Sequence, residues 1–382
     1  MACNDTTVTM FSTEQSVKTL PASWFTSQPL YDLEMRSVFT QAWYLLGTVT
    51  KFSANQTVDY EFGGVPIRLM HHGAESFTLI RISDNALLKH FVTPTGLLFG
   101  TISPTAPTFD TWFPPSLLPL LNKHDFRRLP WRHGIKYPGR FNWKTMVDGY
   151  QECLHCQYTH RTFSVKYPPT FYEVHNYGTY SQHIADPTKP EDGLFLYFFP
   201  VCTLNLYGGG MSSFRVCPGN GAGGCSAAVT TGGSSSAASL RGVYGVQEGS
   251  GGNAAEARTG KVGETRMEFD YYYDGGGEKG MDGWDEYFAF VRKVAMEDFE
   301  LCETAQGNLE RGVYSQGCLN GVKERGVAHY QQLTRQMVTE KFKEEEAERN
   351  GLARVASTAS GTSTSAGAAT TLHAAEQVAA SA

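Results

Sequence analysis

The sequence predicts an α+β fold, because it combines short strand-like runs with stretches of helical periodicity. Strand patterns fill Trp43–Ser103 and return between His175 and Tyr273. The clearest helical pattern is Trp284–Leu309, whose apolar residues keep to one face. With 382 residues, 41% of them hydrophobic, the chain is long enough for one large domain or two modest ones with a core.

The first strand region contains a hairpin signal. Two apolar runs, Val58–Phe62 and Val65–Met70, are joined by Gly63-Gly64, and a glycine pair favours the tight turn of a β-hairpin. Further strands are predicted at Trp43–Val49, Ser76–Ile82 and Leu97–Ile102. Pro104–Pro130 contains six prolines and is interpreted as a connector with one short helical piece.

Helices and strands continue through the rest of the chain. Phe141–Tyr158 is predicted to be a helix with one apolar stripe, and Asp148, Glu152 and His155 fall on a second stripe. The remaining predicted strands, which would form an antiparallel sheet, are His175–His183, Leu194–Tyr207, Met211–Cys217 and Thr265–Tyr273. A shorter helix is predicted at Val327–Lys343.

Three segments are predicted to be disordered, because they hold too few large apolar residues to offset the entropy cost of ordering. They are residues 1–18, the Gly-, Ala-, Ser- and Thr-rich insertion 218–263, and the tail 344–382. The insertion lies between two predicted strands, so it is interpreted as an overgrown hairpin loop.

Charge and composition argue against several classes of protein. The net charge is −6 and the basic residues are scattered, so no nucleic-acid partner is expected. The longest apolar runs are too short for a bilayer, and the N-terminus has no secretory pattern, so no membrane association is expected. The eight cysteines lack framework spacing and are interpreted as reduced thiols of a cytoplasmic protein, although the sequence does not distinguish the cytosol from an organelle.

Asp298 is the first residue that suggests chemistry. It lies on the apolar face of the Trp284–Leu309 helix, four residues after Val294 and three before Leu301. A carboxylate in a buried stripe is costly unless it is paired, protonated or bound to a metal. The alternative is a helix register that differs by one residue, which places Asp298 at the edge of the face. Periodicity alone does not decide between the two.

The segment Glu152–His160 supplies two imidazoles and a carboxylate. His160 lies five residues after His155, which is about 140° around an ideal helix, so the two converge only if His160 lies at the helix end or beyond a distortion. Two histidines and one carboxylate form the facial triad of non-haem Fe(II) oxygenases. Two histidines with structural hydrogen bonds fit the same spacing. A zinc site of Cys153, His155, Cys156 and His160 matches no known knuckle spacing.

Longer motifs carry a family resemblance. Asn142–Lys144 and Asp148–His160 resemble the iron-binding signature of Rieske non-haem iron oxygenase α-subunits, in the choline monooxygenase-like branch. Glu297-Asp298, with Glu303, Gln306 and the turn Gly312–Ser315, resembles the second signature of that branch. The resemblance extends from about Leu20 to Leu333 and is interrupted by the insertion.

The resemblance implies a site and a reaction. His155, His160 and Asp298 would be the ligands of a mononuclear Fe(II), and Glu152 would be the catalytic acid that passes electrons from a neighbouring subunit's Rieske centre. The reaction would be O₂-dependent hydroxylation of a quaternary ammonium methyl group, converting choline to betaine aldehyde in glycine betaine synthesis. The partners would be a choline-like substrate, O₂, and a ferredoxin or NAD(P)H reductase.

The resemblance also implies an architecture. A truncated β-rich remnant of the Rieske domain, residues 19–105, would precede a helix-grip catalytic domain, residues 106–343, whose antiparallel sheet surrounds the long C-terminal helix. The chain would assemble as a homotrimer. Six aromatic residues lie on elements expected near the pocket, although strand aromatics are usually core: Tyr197, Phe199, Tyr207, Tyr271, Tyr273 and Trp284.

The sequence departs from the family at the electron supply. A Rieske [2Fe–2S] cluster requires a C-x-H and a C-x-x-H motif, but the only C-x-H is Cys153-Leu-His155 and there is no C-x-x-H. The flanking strand patterns meet around Asp84–His90. Either a gene-model error removed the cluster segment, or the chain is a truncated paralogue. The predicted functions are therefore an impaired oxygenase, a non-catalytic paralogue or partner subunit, or an oxygenase for another small or aromatic substrate.

Overall fold

Antiparallel sheets and helices together build the part of the chain that the structure, a computed structural model, describes. The described residues are 17–186, 188, 193–219, 260–275 and 283–359, with side chains up to residue 351. The α-helices are α1 Ser23–Thr26, α2 Gln28–Ser37, α3 Phe109–Trp112, α4 Leu117–Leu121, α5 Trp143–Tyr150, α6 Cys156–Thr159, α7 Arg161–Lys166, α8 Trp284–Glu310 and α9 Arg325–Ala359. The α+β prediction is confirmed.

The described residues form fifteen strands. In chain order they are β1 Val17–Lys18, β2 Trp43–Thr48, β3 Thr57–Phe62, β4 Val65–Gly73, β5 Ser76–Arg81, β6 His90–Val92, β7 Leu97–Thr101, β8 Trp131–Gly139, β9 Glu173–Tyr177, β10 Tyr180–Ile184, β11 Leu194–Phe198, β12 Cys202–Tyr207, β13 Gly210–Pro218, β14 Thr265–Tyr273 and β15 Cys318–Leu319. Strand β1, within the segment predicted to be disordered, pairs with β15.

The N-terminal strands form two three-stranded sheets, ordered β2-β7-β6 and β3-β4-β5. The predicted hairpin is confirmed, since Phe62 pairs with Val65 across the turn. Gly63 and Gly64 have φ values of +56° and +76°, which glycine adopts without the steric cost that a side chain would bring. The connector 104–130 contains two short helices, α3 and α4, and a 3₁₀ turn, one helix more than predicted.

A seven-stranded antiparallel sheet, ordered β8-β14-β13-β12-β11-β10-β9, forms the body of the second half. Strands β13 and β14 are neighbours, and Pro218 pairs with Thr265. The insertion therefore joins adjacent strands, as its interpretation as a hairpin loop required. Residues 220–259 of the insertion lie outside the described residues, and so do residues 1–16 and 360–382. The disorder predicted for these segments stays a prediction.

Two predicted single strands are hairpins. His175–His183 contains the β9–β10 turn at Gly178, whose φ is +60°, and Leu194–Tyr207 contains the β11–β12 turn around Pro200. Both predictions were wrong because the turns are short and flanked by apolar residues, so the strand pattern runs through them. Proline lacks the N–H that a continuous central strand needs.

The predicted helix Phe141–Tyr158 is wrong as one continuous helix, because α5 ends at Tyr150 and helical structure returns only in α6, at Cys156. Asn142 caps the start of α5 by accepting a hydrogen bond from the Lys144 N–H at 3.1 Å. After α5 the Glu152 carboxylate accepts the Leu154 N–H, and such a local side-chain bond competes with helical hydrogen bonding. The stripe expected for Asp148, Glu152 and His155 is therefore broken by a turn.

The C-terminal helices differ from prediction at two points. Helix α8 matches the predicted helix, but Leu301, expected on its buried face, is 41% exposed. Helix α9 continues to Ala359, past Lys343, where the disordered tail was predicted to begin. Its charged residues keep helix-forming propensity even where they bury little apolar surface.

Helix α5 is fixed from two sides. The buried Lys144 ammonium donates to both oxygens of the buried Glu34 of α2, at 2.7 and 2.8 Å. From α9, the Tyr330 hydroxyl and the Gln331 amide donate to Asp148. Burial raises the pKa of Asp148 to about 7, against the opposing effect of these two hydrogen bonds. These contacts hold the turn that follows α5 in place.

Candidate metal centre

Three side chains from two distant parts of the chain converge at one point. His155 directly precedes α6, His160 lies between α6 and α7, and Asp298 lies within α8. His160 thus lies at a helix end, as its spacing from His155 required. The turn after α5 and the short helix α6 bring both imidazoles to the same side of α8.

The three groups are close enough to share one ion. His160 Nε2 lies 2.8 Å and His155 Nε2 lies 3.3 Å from Asp298 Oδ1. The two Nε2 atoms are 3.2 Å apart, and all three ligand atoms lie within 4.8 Å of one another. His160 is buried, while His155 and Asp298 are partly exposed. The donor set, two imidazoles and one carboxylate, suits divalent iron and leaves coordination positions open.

A carboxylate is hydrogen-bonded to the Nδ1 atom of each imidazole, the ring nitrogen that is not a proposed metal ligand. Glu152 accepts a hydrogen bond from His155 Nδ1, and Glu297 Oε2 accepts one from His160 Nδ1 at 2.8 Å. A proton fixed on Nδ1 leaves Nε2 as the ligand atom, which is how metal-binding histidines are commonly oriented. Glu152 was singled out from the sequence. Glu297 was quoted only as part of a motif, and its contact with His160 depends on the fold.

The charges of the centre are strongly coupled. Burial lowers the pKa of His155, but hydrogen bonds to Asp298 and Glu152 outweigh it and raise that pKa to about 10. The same balance, with Asp298 and Glu297 as partners, raises the pKa of His160. Burial raises the pKa of Asp298, but hydrogen bonds from both imidazoles lower it overall. Binding of a divalent cation at His155 Nε2 therefore requires release of a proton from that imidazole.

Two cysteines of the motif are bonded to each other. Cys153 and Cys156 form a disulfide with a Cα–Cα distance of 5.1 Å, within the range that a disulfide bridges. The prediction of reduced thiols is wrong for this pair. Cys202, Cys217, Cys302 and Cys318 are free, and Cys3 and Cys225 lie outside the described residues. Because both sulfurs are used, the alternative zinc site with Cys153 and Cys156 as ligands is not formed here.

Aromatic rings connect the disulfide to α8. Cys153 and Cys156 pack with Tyr167 and Phe195 in one small apolar cluster. The Tyr207 ring lies 6.3 Å from Tyr167, 5.4 Å from Phe195 and 5.9 Å from Tyr287 of α8. We call Tyr167, Phe195, Tyr207 and Tyr287 the aromatic wall. Of the six aromatics predicted near a pocket, Tyr197, Phe199, Tyr271 and Tyr273 are buried, and Tyr207 and Trp284 are partly buried.

Residues 126–188 and 260–340 match the family model of the ring-hydroxylating α-subunit catalytic domain. This part of the chain is a Rieske-type oxygenase catalytic domain. The match includes all the residues of the candidate metal centre, and the family uses a mononuclear iron together with a Rieske [2Fe–2S] cluster. By sequence, the chain has no significant match among curated proteins.

Solved structures share the fold of this oxygenase domain and the strands before it. The quaternary ammonium Rieske monooxygenase CntA, in complex with an inhibitor, matches with a TM-score of 0.65 and 16% identity, over 84% of this chain and 96% of that one. CntA bound to its substrate L-carnitine matches with a TM-score of 0.63 and 15% identity, over the same shares. Naphthalene 1,2-dioxygenase from Rhodococcus sp., bound to indole, gives 0.54 and 12%, over 84% and 95%.

Among the residues described, no helix has the length and apolar character needed to span a bilayer.

Replacement of Glu297 by alanine is expected to lower the Fe(II) affinity about 10- to 100-fold, because such outer carboxylates fix the tautomer and orientation of a ligand imidazole. The measurement is anaerobic competition with a coloured Fe(II) chelator. Glu297→Gln should recover part of the affinity, since its amide oxygen still accepts from His160 Nδ1. Glu300→Ala, at an exposed position of the same helix, is the control. Equal affinities for Glu297→Ala and the control would contradict this role.

Proposed function

We propose that the chain is a mononuclear iron oxygenase that hydroxylates a quaternary ammonium compound with O₂. The observation that carries the proposal is the convergence of His155 Nε2, His160 Nε2 and Asp298 Oδ1 within 4.8 Å, in a domain of the Rieske-oxygenase type. The donor set fits Fe(II), which prefers imidazole and carboxylate ligands in this combination.

The proposed roles follow from the contacts. His155, His160 and Asp298 would hold the metal, which supplies O₂ activation when bound. Glu152 and Glu297 would keep protons on the Nδ1 atoms, so that both Nε2 lone pairs face the ion. In the balanced reaction, one oxygen atom enters a C–H bond and the other leaves as water, with two electrons and two protons consumed. The partly exposed His155 and Asp298 leave that face of the centre open to substrate.

A quaternary ammonium substrate is supported by two observations. CntA, which shares the fold, has L-carnitine and γ-butyrobetaine as substrates. The aromatic wall places rings beside the metal motif, and aromatic faces attract onium groups where water is excluded. Choline is our specific proposal. The methyl hydroxylation expected from the resemblance is wrong for this product, because it would release formaldehyde. We therefore place the proposed hydroxylation at the carbinol carbon of choline, where the resulting hydrate loses water to give betaine aldehyde.

The electrons would have to come from a partner. The sequence holds no C-x-x-H motif for a Rieske cluster, so a homotrimer of this chain would lack the cluster in every subunit. We propose that this chain receives its electrons from a ferredoxin or reductase, or from a cluster-bearing relative. The chain alone would oxidise its substrate slowly or not at all. The same observation favours the second candidate function, a non-catalytic partner subunit that keeps the metal.

The test measures substrate oxidation at the proposed metal centre without the natural electron donor. The full chain, loaded with Fe(II) without oxygen, is supplied with O₂ and with a small one-electron donor, reduced methyl viologen, in place of a cluster. Choline, L-carnitine and γ-butyrobetaine are compared with 3,3-dimethylbutanol, the uncharged isostere of choline. Products are measured by mass spectrometry, and betaine aldehyde is distinguished from formaldehyde. His155→Ala is the inactive control.

We expect oxidation of a quaternary ammonium compound, and choline binding about tenfold tighter than its neutral isostere, because a desolvated cation–π contact contributes about 1 to 2 kcal/mol. Iron binding without oxidation of any of the substrates, even with a full-length cluster-bearing relative added, would overturn the enzyme proposal and favour the partner-subunit alternative. Equal binding of choline and the isostere would overturn the onium assignment alone.

A further inference from the structure

The Cys153–Cys156 disulfide encloses one of the proposed metal ligands. His155 lies between the two cysteines, and Glu152, which holds His155 Nδ1, directly precedes Cys153. The bond is buried, with Cys153 and Cys156 only 5% and 4% exposed. Because His155 lies in the loop that this bond closes and Glu152 directly precedes that loop, forming or breaking the bond changes the segment that orients both side chains.

Cys156 is also near the ligand atom itself. Its Sγ lies 3.9 Å from His155 Nε2. A thiolate and an imidazole on one tetrahedral ion, at about 2.3 Å and 2.1 Å from it, are separated by about 3.6 Å. A sulfur released from the disulfide would need to move only a fraction of an ångström to share an ion with His155.

We propose that Cys153 and Cys156 form a reversible thiol–disulfide couple that selects the metal of the centre. As a disulfide, the pair leaves the His155, His160 and Asp298 set with open positions, which suits an oxygen-activating metal. As a dithiol, it supplies the Cys156 thiolate as a fourth ligand. Four ligands including a soft sulfur favour Zn(II) and close the site to O₂. The inference rests on the proposed function, because it uses the same metal centre.

The redox step balances with a peroxide and a dithiol. Oxidation forms the S–S bond while the two thiols give two electrons and two protons to hydrogen peroxide, which becomes two waters. The reverse step is exchange with a dithiol reductant, which takes up the S–S bond as its own disulfide. Among the described residues no other cysteines are bonded, so the couple is confined to this loop.

The experiment uses the full chain in both redox states and Co(II) or Zn(II) alone as probes. Protein treated with stoichiometric peroxide is compared with protein reduced by dithiothreitol, each desalted without oxygen. Alkylation and peptide mass spectrometry count the free thiols at positions 153 and 156. Sulfur-to-cobalt charge-transfer absorption reports a Co–S bond, and competition with a chelator gives the Zn(II) affinity. The variants are Cys156→Ser and Cys153→Ser, with Cys318→Ser, an exposed free cysteine, as the control. His155→Ala, which removes a proposed ligand, tests the metal centre itself.

We expect the Co–S absorption and at least a tenfold higher Zn(II) affinity only in the reduced protein. Cys156→Ser should lose the absorption, Cys153→Ser should keep it in reduced form, and Cys318→Ser should behave like the wild type. Reduced wild type that binds Co(II) without the absorption, or a pair that stays as two thiols after peroxide, overturns the inference. If His155→Ala binds metal as tightly as the wild type in the oxidised state, the proposed metal centre itself fails.

Discussion

Replacement of Asp298 by asparagine should lower the Fe(II) affinity by more than about 100-fold, since loss of an outer-shell partner alone costs about 10- to 100-fold. Asp298 Oδ1 lies 2.8 Å from His160 Nε2 and 3.3 Å from His155 Nε2, and it contributes the only carboxylate of the three-residue set. An asparagine keeps the size of the side chain but removes the negative charge that balances a divalent cation. Asp298→Asn therefore tests the contribution of the negative charge to metal affinity separately from that of side-chain shape.

The measurement is metal content after anaerobic loading, together with chelator competition. Asp285→Asn, an exposed carboxylate in the first turn of the same helix, controls for the general effect of losing one charge. We expect the control to bind one Fe(II) like the wild type. Retention of wild-type Fe(II) affinity by Asp298→Asn would show that the centre does not use this carboxylate.

The second large effect is expected at Glu34. The Lys144 ammonium and the Trp143 indole N–H both donate to the Glu34 carboxylate, at 2.7 and 2.8 Å, and both charged side chains are fully buried. Burial raises the pKa of Glu34 and lowers that of Lys144, while their attraction opposes both shifts. Glu34→Ala removes the partner and leaves a buried ammonium, which should lower the free energy of unfolding by about 3 to 5 kcal/mol.

Urea unfolding of the single and double variants measures this effect. Glu34→Leu combined with Lys144→Met should recover most of the lost stability, because an apolar pair of similar volume removes the desolvation penalty of both charges. If Glu34→Ala alone changes the free energy of unfolding by less than about 1 kcal/mol, the value of an exposed pair, the buried pair is not the contact that holds α5 against α2.

Local sequence determined the elements whose signal lies within a few residues. The Gly63-Gly64 hairpin and helix α8 are of this kind. The Glu152–His160 motif and Asp298 were also found from the sequence, and the structure brings them together. Their roles as ligands stay predictions that the metal measurements test.

The helix beyond Tyr150 shows why local pattern is insufficient. Its apolar spacing continues to Leu154, yet the Glu152 carboxylate binds the Leu154 N–H and the helix ends. Periodicity reports which face is apolar and carries no information on a side chain that competes for backbone hydrogen bonds.

The sequence by itself therefore determined the α+β fold class and predicted the kind of centre, two imidazoles and a carboxylate. Only the tertiary structure decided how it is built: Glu297 on the far nitrogen of His160 and the Cys153–Cys156 bond around His155. The reason is physical, since a hydrogen bond between residues 137 positions apart, or a sulfur bond across a turn, depends on the geometry of packed elements. Residue types and spacing predict the candidate ligands, and packing decides which of their atoms converge.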